Sequence, residues 1–241
     1  MRPIVFIPLA ALVACSDSSE APTVQLPVAT SGAAFAPSTT DLGYTVTTTR
    51  VRMAIADLQL TIEGEMHQAA PNQHPGHYAG GDVTGTLPGH FVLDWNGAEH
   101  ALGTAELIVG DYQGANFTFR AADAADGLTA GDALLGHAIH VLGVASKDGT
   151  DHPFDAVIDL DAGTQLVGAV FEDVVTEAST ETLVLAFLPT DPSSTATIYD
   201  GLDFATLPTT GDDRIELRPG SAAYNAFRRP LQTHDHYAIA H

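Results

Sequence analysis

The sequence predicts an all-β protein, an antiparallel β-sandwich with short helical turns. Three observations carry this. Apolar and β-branched residues alternate with polar ones, turn signals separate those runs, and 22 Gly and 14 Pro punctuate 241 residues with no strand–helix alternation. The longest run is the clearest. Tyr44, Val46 and Thr48 alternate with Thr45, Thr47 and Thr49, and Val51, Met53, Ile55, Leu58, Leu60 and Ile62 extend it. Period two with β-branched side chains reads as one long strand, or as two with a bulge near Ala56-Asp57. Further strands are expected at Phe91–Trp95, His100–Val109, Ala115–Arg120, Ala138–Ser146, Phe154–Leu160, Gln165–Phe171, Glu181–Leu188 and Ala196–Tyr199. Asn96-Gly97, Gly110-Asp111, Asp148-Gly149, Asp161-Ala162-Gly163 and Thr190-Asp191-Pro192 supply turns between them. Leu202–Leu207 and Ala222–Arg228 each suit one or two helical turns. Gln165–Val175 also suits a helix, but Gly168 and the paired valines favour a strand.

Neither a fixed-period repeat nor a strong linker divides this body, so residues 43–241 are expected to form one domain. The segment from Ser16 to about residue 40 is rich in Ser, Thr, Pro and Ala, with few large apolar side chains. That composition buries little surface, so residues 15–42 are expected to be a flexible tether.

Composition narrows function by exclusion. Thirty Asp and Glu against nine Lys and Arg give a formal charge of −21, the wrong sign for a protein that displaces counterions from nucleic acid. One Cys forbids an internal disulfide framework, a Cys-rich zinc site and a CxxC redox pair. G-x-S-x-G, HExxH and a glycine-rich phosphate loop are all missing, so no enzyme activity is expected, with a metallohydrolase left open. Acidic pairs such as Asp159…Asp161 and Asp212-Asp213 fit no calcium loop and read as solvated loop acids.

The amino terminus carries an address. Arg2 supplies the positive end, Ile4 to Leu12 a short apolar run, and Leu12-Val13-Ala14-Cys15 precedes a polar stretch. This is the layout of a secretory signal over residues 1–14. With the sole Cys at its end, it resembles the lipobox of bacterial lipoproteins. The resemblance implies that Cys15 becomes the first mature residue and carries the lipid. It also implies that Ser16 directs the protein to the outer membrane, facing periplasm or cell surface.

The histidines are the feature most suggestive of chemistry: 11 in a chain with a single Lys. His67, His74 and His77 share one loop-like segment, and His234 and His236 share THDHY. On an extended segment residues i and i+2 point the same way, so His234 and His236 can meet one ion while Asp235 orients a ring. His74 and His77 flank a Pro-Gly turn that can bring them together. Neutral imidazoles without thiolate suit zinc or copper(II). His137 and His140 are expected to be strand histidines on opposite faces, each satisfied by a backbone carbonyl. His90, His100 and His152 are likewise expected to be structural.

Glu106–Phe119 (ELIVGDYQGANFTF) and GHAIHVLGVASKDGTDHPFDAVIDLD, with its strand, Gly turn and second strand, resemble segments of the MbnP-like periplasmic copper-binding proteins. The resemblance implies an extracytoplasmic sandwich holding copper on loop imidazoles; no residue carries over by motif. The expected function is therefore a lipid-anchored envelope protein that binds zinc or copper in uptake, storage or sensing, with an envelope transporter or receptor as partner. The alternative is a surface module binding protein or glycan through aromatics such as Tyr78, Trp95 and Tyr112, its histidines incidental.

Overall fold

The computed structural model describes residues 21–62, 65–67, 77–79 and 82–241, the two short stretches by their backbone pairing. The expected signal peptide, Cys15 and His74 lie outside the described residues. The strands in chain order are β1 Thr23–Thr30, β2 Ser38–Thr39, β3 Thr45–Ile62, β4 Glu65–His67, β5 His77–Ala79, β6 Asp82–Trp95 and β7 His100–Ile108. They continue as β8 Gly110–Phe119, β9 Ile139–Lys147, β10 Thr150–Ile158, β11 Gln165–Val175, β12 Leu183–Phe187, β13 Ile215–Leu217 and β14 Tyr237–Ala240. One α-helix, α1, covers Ala222–Arg228. Strand accounts for 53% and helix for 9%, so the fold is all-β and sandwich-like, as the alternation predicts.

β3 organises the sheet. The expected alternation is met, with Tyr44, Val46 and Thr48 buried and Thr45, Thr47 and Thr49 exposed. One edge pairs with β9 over Thr45–Met53 and then with β8 over Ile55–Ile62; the other pairs with β6 from Val51 to Ile62. The handover falls at Ala54, whose N–H donates to Ala138 O while its carbonyl accepts from Arg120 N. Asp57 follows in the left-handed region (φ 50) at the register break between Ala56 and Leu58. That is the bulge expected near Ala56-Asp57, and Asp57 Oδ1 secures it by accepting from Gly89 N at 2.9 Å.

Strand order runs β13-β10-β9-β3-β6-β7-β1-β12-β14-β11-β8, and β8 returns to β3. The path from β3 through β6, β7, β1, β12, β14, β11 and β8 therefore closes on itself, while β9, β10 and β13 branch from the first half of β3. Closure leaves few backbone groups unpaired and encloses a core that includes Trp95, Phe117, Phe119, Phe171, Phe187 and Tyr237. The sheet is mixed rather than purely antiparallel: β1–β12, β10–β13 and β11–β14 run parallel.

Three local expectations are corrected. The tether expected over 15–42 gives way to structure by Thr23, because β1 pairs with β7 along its length and buries Leu26, Val28 and Ala29. Pro27 masks this strand in the sequence. It sits just before β12 joins at Val28, where one edge of β1 is open and a missing N–H is tolerated. Ala196–Tyr199 makes only an isolated bridge, Thr190 to Thr197, within a loop held by Asp191 and Asp200. His234–His236 is a 3-10 turn, not an extended segment. Gln165–Val175 is a strand, Ala222–Arg228 is helical, and Phe204–Thr206 makes a single 3-10 turn.

Replacing Leu26 by Ala tests the placement of β1. The expected loss in urea unfolding is about 2–5 kcal/mol, the range for emptying a buried leucine site. A stability equal to wild type would contradict a packed β1.

Candidate functional site

Most histidines outside the two clusters have a structural partner. His137 Nδ1 lies 2.6 Å from Asp159 Oδ1, and His140, buried on β9, lies 3.3 Å from Asp155 Oδ1. Both therefore face carboxylates rather than the expected carbonyls. Asp155 also takes Arg218, and Arg52, the cross-strand neighbour of His140, pairs with Asp132 at 2.6 Å. His100 Nε2 meets Asn96 Oδ1 at 3.2 Å, His152 packs edge-on to Tyr44, and His241 Nδ1 lies 3.0 Å from Asp173 Oδ2. His90 lines a surface cavity of about 390 Å³ with Arg120, Asp123 and Leu160.

The C-terminal turn is different in kind. Pro230 starts one 3-10 turn and Thr233 precedes the next, His234–His236, before the chain enters β14. His236 is 4% exposed, and its Nδ1 lies 2.8 Å from Leu188 O. A carbonyl only accepts, so Nδ1 carries the proton and Nε2 carries the lone pair. Burial pushes the ring below the usual histidine range, against the opposing pull of the Leu188 carbonyl and of Asp235, Asp191 and Asp200. His234 Nδ1 lies 3.1 Å from Asp235 Oδ1, within ion-pair distance. The His236 imidazole is thus oriented through Nδ1.

Beside the turn, Asp191 is buried and accepts from Ser193 N at 2.7 Å, Ser193 Oγ at 2.8 Å and Ser194 Oγ. Burial alone would raise its pKa; these hydrogen bonds outweigh that and hold the carboxyl below its ordinary range.

His67 and His77 of the first cluster lie on the paired strands β4 and β5, where the backbone register sets them opposite each other. β5 lies against β8 and β11, and the His234–His236 turn also lies against β11. They meet that strand toward different ends: Ala238, just after the turn, pairs with Val170, whereas β3 leads to the hairpin beyond Ile62, at the level of Tyr112 and Asp173. Among the described residues no three His, Cys, Asp or Glu side chains stand close enough to share an ion. The aromatic face that a protein- or glycan-binding module needs is not formed by Trp95 and Tyr112, each 1% exposed and part of the core. Tyr112 donates inward to Ile108 O, and Trp95 Nε1 donates to Leu185 O. Comparison with protein-family models, curated proteins and solved structures finds no match for this chain.

The His236 ring gives a pH prediction. Its folded pKa is lowered, so the unfolded chain binds the extra proton. The stability it contributes is complete above pH about 6.5 and is lost as pH falls from there through the folded value. His236→Gln should reduce the fall in melting temperature between about pH 7.5 and about pH 5.5, measured without metal. An unchanged fall would contradict this account of the ring.

Proposed function

We propose that this is a lipid-anchored envelope protein, tethered through Cys15, that binds one zinc or copper(II) ion in metal uptake, storage or sensing. The observation that carries the metal reading is a buried imidazole, His236, oriented by a backbone carbonyl in the same turn as a second imidazole, His234. Leu188 O holds the His236 ring through Nδ1, which presents Nε2 as its ligand nitrogen, and His234 lies in the same turn with Asp235 3.1 Å from its Nδ1. A buried ring kept neutral is the form a metal takes, so binding at neutral pH displaces no proton from His236.

Two imidazoles do not complete a zinc or copper site, and the hairpin is the natural source of the rest. His67 and His77 are register partners. Their hairpin is rooted beyond Ile62 at the Asp173 end of β11, while His236 sits by Phe187 toward the other end, so one shared ion requires the hairpin to reach back along β11. His74 precedes His77 by three residues and adds a further donor. Three or four neutral nitrogens suit zinc or copper(II). The resemblance to MbnP-like proteins points the same way, toward copper. Asp235 acts by positioning a ring.

Titrating the full-length, tag-free protein with zinc and with copper(II) against a competing chelator tests this. Stoichiometric binding of one ion is expected, weakened at least about tenfold by His236→Ala or His77→Ala and about tenfold to a hundredfold by Asp235→Ala. His100→Ala, away from both clusters, should bind as wild type. Substoichiometric metal, or binding indifferent to the first three substitutions, would overturn the reading.

A further inference from the structure

Pairing around the closed sheet defines its two ends. Thr23 at the start of β1 pairs with Ile108 at the end of β7, Ile62 pairs with both Asp82 and Tyr112, and Tyr112 pairs with Asp173. These six residues ring one end, and the β4–β5 hairpin follows β3 there. The other end carries Ser31 to Pro37 beside Trp95 and Phe187, where Phe35 packs edge-on to Phe187.

The chain is already fixed at Pro22, whose carbonyl accepts from Val109 N at 2.9 Å. Only residues 16–21 separate it from Cys15. Seven Cα steps reach at most about 25 Å, and a flexible chain of that length spans roughly 13–16 Å. The eight residues of β1 extend about 23 Å from one end of the sheet toward the other. Turning the far end to a membrane would therefore require the link at nearly full stretch, a state its entropy opposes.

We propose that the end ringed by Thr23, Ile62, Asp82, Ile108, Tyr112 and Asp173 faces the bilayer surface, with the Ser31–Pro37 end directed away. This orientation rests on the lipid anchor at Cys15. The carboxylates of Asp82, Asp111 and Asp173 keep the facing end at headgroup level, since burying them in the acyl region would require neutralising them. The link therefore holds the root of the histidine hairpin near the membrane plane and leaves the small apolar cavity under Phe35 (about 240 Å³) facing outward.

The single native Cys makes the test clean, because lipidation consumes its thiol and an engineered Cys is then unique. Val83→Cys marks the membrane end, where Val83 is 46% exposed, and Ala34→Cys marks the other, where Ala34 is also exposed. Full-length lipidated protein, its lipid verified by mass, is labelled at each site and reconstituted in liposomes carrying a headgroup-labelled acceptor. Energy transfer from position 83 should exceed that from position 34 about twofold or more, and a long Gly/Ser insertion after Glu20 should erase the difference. Equal or reversed transfer in verified lipidated protein would overturn the orientation while leaving the anchor intact. Protein that carries no lipid at Cys15 would overturn the anchor, and the orientation with it.

Discussion

Everything in this fold depends on one strand changing partners. At Ala54 the backbone of β3 turns from β9 toward β8, giving its N–H to one side and its carbonyl to the other. A strand that splits its edge in this way opens a wedge between the two neighbours, and the structure closes it with charge. Arg120 reaches Ile55 O and pairs with Asp126, and Arg52 pairs with Asp132, so the segment from Arg120 to His137 is pinned over the gap. Ala122 and Leu134 then pack on Ala54. The left-handed Asp57 bends the second half of β3 into the closed path. Without that bend β8 and β11 would not come round to β14, and the C-terminal turn would have no strand to rest on.

Those ion pairs recast the charge arithmetic. Arg50, Arg52, Arg120, Arg214, Arg218 and Arg228 each pair with an Asp or Glu, so most of the few cations act within the fold. The remaining surface is dominated by carboxylates. Such a field raises the local concentration of cations in general without selecting one. In the proposed function, selectivity is the task of the imidazoles.

Much of the architecture was legible from residue pattern, because alternation and turn residues report local burial directly. β3, its bulge, β7, β9 and α1 all lie close to where the pattern puts them. β1 was hidden by Pro27 and by flanking Ser and Thr, since its burial comes from β7 and β12 and not from its own composition. β13 and β14, at three and four residues, are too short to show a period. The candidate site was legible in residue type but not in geometry. Strand alternation predicts that THDHY presents two rings on one face; instead a 3-10 turn places them, and the orientation of His236 comes from Leu188 O. The placement of that turn toward one end of β11 and of the hairpin's root toward the other is a consequence of closure, which no spacing rule encodes. His137 and His140 were misjudged for a similar reason: their carboxylate partners come from β10 and its end, distant in sequence from both.

The central functional claim is that His236 offers Nε2 to a metal while its Nδ1 stays engaged with Leu188 O. Nitrogen-15 NMR of the histidine rings, recorded before and after one equivalent of zinc, tests it most directly. The account predicts an Nδ1–H tautomer at His236 in the metal-free protein and a zinc-induced shift at its Nε2 with the Nδ1 proton retained. Nε2–H tautomers, a shift at Nδ1, or rings that ignore zinc would contradict it.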